Sequence, residues 1–315
     1  MYAARRVFAG RASQHLAEAI CRHLGEPLGQ AEILKFRNDN TFVQILENVR
    51  ECDVFVVQTS CPPVDENLME LLIMIDALRR ASASRITAVL PYYPYVRSDK
   101  KDQPRVPITA RLVADLLTTA GADRVVTIDL HAPQIQGFFS VPLDHLTATH
   151  LFCDYLRAKG LDAPVAVATD SGAAKRALGF ARGLGAPLAI MEKHRLGNTD
   201  TVEVTAFIGD VRGRQAIIFE DEIASGHTIV GAVDVLRQQG AAEIYVCAPH
   251  GLFSEGALDR LATAGISEVI TTDTVPHRLA ALPALVTELS VAPLLGEAIR
   301  RINTGESISD LFRGE

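Results

Sequence analysis

The sequence predicts an α/β protein of two domains, each a mainly parallel sheet flanked by helices. Short apolar runs alternate with helical patterns along most of the chain, and parallel strands need crossover helices. Runs such as Ala216–Phe219 are apolar at every position, which fits burial on both faces better than a half-solvated antiparallel sheet. The length, 315 residues, suits two domains at about 100–200 residues each.

In the first half, Val54–Gln58, Ile86–Leu90 and Arg124–Asp129 read as strands, with helices over Asp65–Arg80 and Ile108–Ala120 between them. Asp65 is read as the cap of its helix. That helix carries Leu68, Met69, Leu71, Leu72, Ile73, Met74, Ile75 and Leu78. Apolar residues on nearly every face imply burial all round, against another subunit or at the centre of one large domain. The polar stretch Asp144–His150 opens the helix Ala148–Lys159, and the domain boundary is drawn near Leu146–Thr149, giving 1–147 and 148–290. The second half then alternates Val165–Ala168, helix Gly172–Leu184, Leu188–Met191, Gln215–Phe219, helix Thr228–Gln239, Glu243–Ala248 and helix Ser254–Ala264.

Composition bounds the function. Hydrophobic residues make up 48%, enough for a sizeable core, so disorder is excluded for most of the chain. The 31 Lys+Arg against 38 Asp+Glu leave a formal charge of −7, the wrong sign for a diffuse nucleic-acid surface. A polyanionic ligand must therefore find its cations locally. The longest apolar run, Leu68–Leu78, is broken by Glu70 and Asp76 and is too short for a membrane span. Met1–Gly10 has no long apolar core, so no signal peptide is expected. The cysteines Cys21, Cys52, Cys61, Cys153 and Cys247 are odd in number and lack Cys-x-x-Cys spacing. Buried reduced thiols in a cytoplasmic protein are the expectation.

Several strands end abruptly in polar residues: Thr127-Ile-Asp129-Leu-His131, Ala168-Thr-Asp170-Ser-Gly172 and Phe219-Glu220-Asp221. Ligands of open parallel sheets bind beyond the carboxyl ends of the strands. The most specific segment is Ala216-Ile-Ile-Phe-Glu220-Asp221-Glu-Ile-Ala224-Ser225-Gly226-His227-Thr228. Adjacent carboxylates accept from a vicinal diol, and the loop amides before a helix suit a phosphate, so a ribose bearing a 5-phosphate fits. An acidic surface turn followed by a capped helix is the structural alternative. Asp129 and His131, two apart in an extended segment, lie on one side; a structural histidine and a sparse magnesium site both remain open. Arg97 in Tyr95–Asp102 can fork onto a phosphate, and Glu192-Lys193-His194-Arg195 sets a basic trio before Gly197-Asn-Thr-Asp200, whose composition suggests a mobile loop. Exposed charge explains either segment taken alone.

Together these segments resemble the ribose-phosphate pyrophosphokinases over nearly the whole chain. Asn67–Ser84, Arg85–Tyr92, Val106–Arg111 and Asp129–Phe139 look like hallmarks of that family. The resemblance implies two phosphoribosyltransferase-like domains, with a tail of about residues 291–315 packing back on the N-terminal one. It implies pyrophosphoryl transfer from Mg-ATP to ribose 5-phosphate, giving phosphoribosyl pyrophosphate and AMP, in a homohexamer built from dimers. It further implies His131 and Asp170 as Mg²⁺ ligands and Lys193 and Arg195 as catalytic. Phe36, Asn38, Asp39, Asn40, Arg97, Ser98 and His131 would meet ATP. Asp170, Arg195, Glu220, Asp221, Ala224, Ser225, Gly226, His227 and Thr228 would hold ribose 5-phosphate. Arg50, Ser82, Arg105, Ser307 and Ser309 stand where anion contacts of an allosteric site occur, although Ser307-Ile-Ser309 equally suits a helix-capping stretch.

The chain departs from the family pattern in three places. Phe-Ser-Asp-Gly-Glu is replaced by Phe36-Arg37-Asn38-Asp39-Asn40, and Asp39 in place of Gly costs about 1 kcal/mol if the position needs positive φ. Asp-Thr-Gly-Gly-Thr has become Ala224–Thr228, where His227 either adds a donor or strains the loop. Ser98 stands where Gln also occurs. These departures motivate an alternative, a non-catalytic regulatory paralogue in hexamers of an active synthetase; the retained Lys193, Arg195, His131, Asp170 and Asp221 argue against it. A phosphoribosyltransferase that consumes the product is a third reading, and it leaves Arg97–Asp102 and Asp129–Phe139 without a purpose.

Overall fold

The structure, a computed structural model, describes residues 4–195, 202–277 and 283–311. It divides into two units; the first gathers the chain up to Thr147 with Thr274–Pro276 and the segment from Ser290. Its elements are β1 (Arg5–Ala9), α1 (Gln14–Leu24), β2 (Ala31–Lys35), β3 (Thr41–Ile45), β4 (Asp53–Val57), α2 (Val64–Arg80), β5 (Arg85–Leu90), α3 (Thr109–Ala120), β6 (Arg124–Ile128) and β7 (Leu143–Leu146). Among the described residues the main sheet runs β1-β4-β5-β6-β7 with every pairing parallel. β4 is buried at all five positions, as an apolar run covered on both faces requires. β2 and β3 form a separate antiparallel hairpin.

Two expectations for α2 are corrected. The residue before it is Pro63, with no side-chain cap, and Asp65 lies inside the first turn, where its charge still suits the helix dipole. Within the single chain burial is not all round: Met69 is 54% exposed, while Glu70 is fully buried. Glu70 is tolerated because it accepts from the Arg11 Nε at 2.5 Å, the Arg11 amide at 2.7 Å and the Gln58 amide at 2.9 Å. Outward-facing Met69 rules out a helix central to one large domain.

The second unit comprises Ala148–Asp273 and His277–Leu289. It contains α4 (Thr149–Lys159), β8 (Pro164–Ala168), α5 (Ala174–Leu184), β9 (Leu188–Arg195), β10 (Val202–Ile208), β11 (Gln215–Phe219), β12 (Glu222–Ile223), α6 (His227–Gln238), β13 (Glu243–Gly251), α7 (Ala257–Thr263), β14 (Glu268–Thr272) and β15 (Val286–Leu289). The sheet order is β10-β9-β8-β11-β13-β14-β15, with β12 paired to β13, and only β9–β10 is antiparallel among the described strands. Phe219 at the end of β11 is stacked on Phe180 with centroids 4.4 Å apart, which seats α5 against the sheet. α7 starts at Ala257 rather than Ser254, because its preceding residue, Gly256, takes φ 73.

The chain then re-enters the first unit as α8 (Ala292–Thr304). α8 lies against α1 so closely that a Cβ at Gly296 would come within 2.6 Å of the His23 ring. Arg85 locks its end, donating to the Ile302 carbonyl at 2.9 Å and forking onto Asp53, which also accepts from Asn303 at 2.9 Å. All five cysteines are buried free thiols.

Candidate active site

In the first unit, Phe36–Asn40 forms the turn of the β2–β3 hairpin, closed by the Phe36 amide on the Asn40 carbonyl at 2.9 Å. Asp39 has φ 67, so it does occupy a left-handed position. Its carboxylate lies 2.8 Å from Lys35, which also reaches Glu66 in the first turn of α2 at 2.9 Å. Tyr95, two residues before Arg97, bonds through its hydroxyl to Asp65. Adjacent acids of one helical turn therefore tie down the hairpin and the Tyr95–Ser98 segment together. Arg97 is exposed, and the Ser98 amide donates to the Tyr95 carbonyl at 2.8 Å. Replacing Asp39 with Gly relieves the left-handed strain of about 1 kcal/mol while removing only a solvent-exposed ion pair. The expected result is a higher urea midpoint; a lower one shows that the Lys35 contact outweighs the backbone.

β6 ends at Ile128, one residue short of the expected strand, and Asp129 turns to φ 41. The turn presents exposed His131 and is held by the Leu130 amide, which donates to Nε2 of His145 at 2.8 Å. Accepting that proton requires an unprotonated Nε2, and burial pushes the His145 pKa down to about 4. The sequence pattern did not single out His145, because Asp144–His150 reads as a polar helix entry.

Of the anion-contact residues, Arg50 and Ser82 are brought close, since the Glu51 amide donates to the Ser82 carbonyl at 2.9 Å. Arg105 is exposed, with φ 69. The Ser307 hydroxyl accepts from the Ser309 amide at 3.2 Å, the local bond that a capping stretch predicts.

In the second unit the ends of neighbouring β8 and β11 bring Thr169–Asp170 beside Glu220–Asp221. The Thr169 hydroxyl donates to Glu220. Asp170 is exposed and accepts from the Ala173 amide at 2.8 Å, which closes the turn into α5. Arg176 in α5 lies 2.9 Å from buried Asp221. Sequence reasoning missed Arg176, because the acid it pairs with, Asp221, lies far along the chain. Burial, reinforced by Asp221 and Asp170, pushes the Glu220 pKa up to about 7, against the opposing effects of the Thr169 bond and Arg176.

The loop after Asp221 begins with β12 on the end of β13, with Ile223 opposite Gly251. Gly226 takes φ 77, and His227 is the first, exposed residue of α6, outside the left-handed region. The family's second glycine has thus been replaced without backbone strain, at a helix start whose amides suit a phosphate. Arg260 in α7, also unforeseen, holds the loop by donating from Nε to the Ser225 carbonyl at 2.9 Å.

The strand expected over Leu188–Met191 runs on through the basic trio read at its end: the backbone of Lys193 and Arg195, which the resemblance assigns to a mobile loop, belongs to β9, with Lys193 opposite Val204 and Arg195 opposite Val202 of β10. The register shifts between Val204 and Ala206. The neighbouring stretch Gly197-Asn198-Thr199-Asp200, also read as loop, lies outside the described residues.

Two mainly parallel sheets flanked by helices, with acids at the ends of several strands, make this an α/β protein of two units. Residues 5–121 match the N-terminal domain of ribose phosphate pyrophosphokinase, and 198–313 match the phosphoribosyl synthetase-associated domain. The chain is 47% identical over 310 residues to a ribose-phosphate pyrophosphokinase of Rhodopirellula baltica, covering 98% of each. It is 49% identical to another from Caldanaerobacter subterraneus, covering 98% of this chain and 97% of that one. The crystal structure of phosphoribosylpyrophosphate synthetase from Mycobacterium smegmatis aligns with TM-score 0.90 at 44% identity, over 96% of this chain and 99% of that one. The chain belongs to the ribose-phosphate pyrophosphokinase family.

Proposed function

We propose that the protein transfers the pyrophosphoryl group of Mg-ATP to the 1-hydroxyl of ribose 5-phosphate, releasing AMP and phosphoribosyl pyrophosphate. Beyond family membership, the observation that carries this is the Glu220–Asp221 pair leading through a short loop into α6. The acids accept from the ribose 2- and 3-hydroxyls, while the amides of Ala224–Thr228 face the 5-phosphate. The hairpin Phe36–Asn40 with Arg97 and Ser98 receives the nucleotide; the amide of Asn38 both donates and accepts, so a purine edge can be read without a carboxylate.

The sugar's 1-hydroxyl oxygen attacks the β-phosphorus of ATP. A new O–P bond forms, the bond from the β-phosphorus to the oxygen bridging it to the α-phosphorus breaks, AMP leaves, and the hydroxyl proton is released. Such a reaction is catalysed mainly by positioning and by neutralising charge on the transferring group. Lys193 and Arg195 are assigned to that neutralisation. Among the described residues no three His, Cys, Asp or Glu side chains converge as a metal cage. Magnesium tolerates such a sparse set, because it keeps several waters and takes phosphate oxygens. His131 and Asp170, both solvent-facing at strand ends, are the proposed ligands. Bound magnesium would screen the phosphate charge.

No helix among the described residues is long and apolar enough to cross a membrane. We place the enzyme in the cytoplasm as a homohexamer built from dimers, to be checked by light scattering. The deciding assay incubates purified protein with ribose 5-phosphate, Mg²⁺ and ATP and follows AMP and the pyrophosphorylated sugar. Both products are expected. A folded protein giving no AMP above background is instead a regulatory paralogue.

A further inference from the structure

His277 is not needed by any step above, yet it is held as tightly as a site residue. Only 10% of its side chain is exposed. Nε2 lies 2.6 Å from the Gly251 carbonyl and Nδ1 lies 2.6 Å from the Glu288 carboxylate of β15. A carbonyl can only accept, so Nε2 carries a proton and donates it; Nδ1 and Glu288 close the other side. The imidazole ring also packs on Phe253, with centroids 5.2 Å apart.

Both contacts converge on one corner of the chain. Phe253 takes φ 40, and a Cβ on Gly251 would meet the Phe253 ring at 2.7 Å and the Thr271 hydroxyl at 2.8 Å. This strained, close-packed corner underlies the proposed phosphate loop. The Leu252 and Phe253 amides donate to the Ile223 carbonyl at 2.9 and 3.0 Å, and the Ser254 amide donates to the Ala224 carbonyl at 3.0 Å. Ile223 also pairs with Gly251 through β12. A left-handed phenylalanine persists only where its surroundings over-determine it. His277 supplies part of that support through the Gly251 carbonyl and the Phe253 ring.

We infer that His277, bridging Glu288 and the Gly251 carbonyl, is a positioning residue that presets the Ala224–Thr228 loop for the sugar 5-phosphate. The inference rests on the proposed function and names a side chain about 50 residues away in sequence, outside the strand-end motifs. Ribose 5-phosphate binding then depends on a hydrogen bond that the substrate never touches.

The test compares the wild-type full chain with His277→Leu, His277→Gln and Glu288→Gln. KM for ribose 5-phosphate, KM for ATP, kcat and sugar-phosphate affinity by calorimetry are measured for each. His277→Leu is expected to raise KM and Kd for ribose 5-phosphate about tenfold, with KM for ATP unchanged. His277→Gln is expected to recover much of the loss, since its amide can still donate to Gly251. Glu288→Gln, the mildest change, is expected to move the same two quantities by a smaller factor, and it decides the matter if His277→Leu does not fold. Unchanged ribose 5-phosphate constants in a folded variant overturn the inference. So does a rise in both KM values together, which marks general loosening of the fold. A wild-type protein that neither binds ribose 5-phosphate nor makes AMP overturns the functional reading on which it rests, a result visible before any variant is made.

Discussion

Lys193→Ala is expected to lower turnover by about 10²–10³-fold while ATP binding changes little. The asymmetry follows from when the charge is needed. On the proposed assignment, magnesium and the first-unit contacts would already accompany the nucleotide in the ground state, so one more cation would add little. As the β-phosphorus is transferred, negative charge spreads over its oxygens and onto departing AMP, and a cation in a water-poor site then counts most. Single-turnover release of AMP, alongside equilibrium binding of ATP, separates the two effects. Wild-type turnover in the alanine variant removes Lys193 from the chemistry, and a loss confined to ATP affinity makes it a binding residue. Lys193→Arg retains the charge but presents it in a planar fork, so partial activity is expected.

The strand ends bearing Asp129, Asp170 and Glu220–Asp221 were legible because each closes a buried apolar run, and burial on both faces leaves a plain signature. What the strands do after their last apolar residue was less legible. β9 continues through Glu192–Arg195, whose charges read as loop, because pairing with β10 satisfies the backbone whatever the side chains are. The alternation Val202-Glu203-Val204 was a usable period-two signal for β10, but it followed a stretch of turn residues. Arg176 and His277 were invisible for a different reason. Their importance comes from what a distant segment places against them, Asp221 in one case and Gly251 in the other, and no local pattern encodes that. Asp39 falls between these cases: glycine in related sequences flagged the position, and φ 67 supplied the reason.

Glu220→Gln is expected to stabilise the ligand-free protein at pH 8 while weakening ribose 5-phosphate binding. Burial raises the folded-state pKa of Glu220 from 4.5 to about 7. The folded protein therefore holds this proton more tightly than the unfolded chain does. Stability from this group is intact below pH 4.5 and is lost as the pH rises through 7. At pH 8 the ionised carboxylate is a burden of about 3 kcal/mol, at about 1.4 kcal/mol per unit of displacement. Glutamine is neutral at every pH and its Oε1 can still accept from Thr169, so the variant escapes most of that burden. Urea midpoints of the two ligand-free proteins are expected to lie close together at pH 5 and to diverge with rising pH, the variant higher. The same substitution removes the charge proposed to accept the sugar hydroxyls, and a charge-assisted hydrogen bond is roughly twice as strong as a neutral one. KM for ribose 5-phosphate is therefore expected to rise by about tenfold or more. A variant less stable than wild type at pH 8 would show that Arg176 already compensates the ionised acid pair. A more stable variant with unchanged KM would keep the electrostatic account and remove Glu220 from the sugar contact.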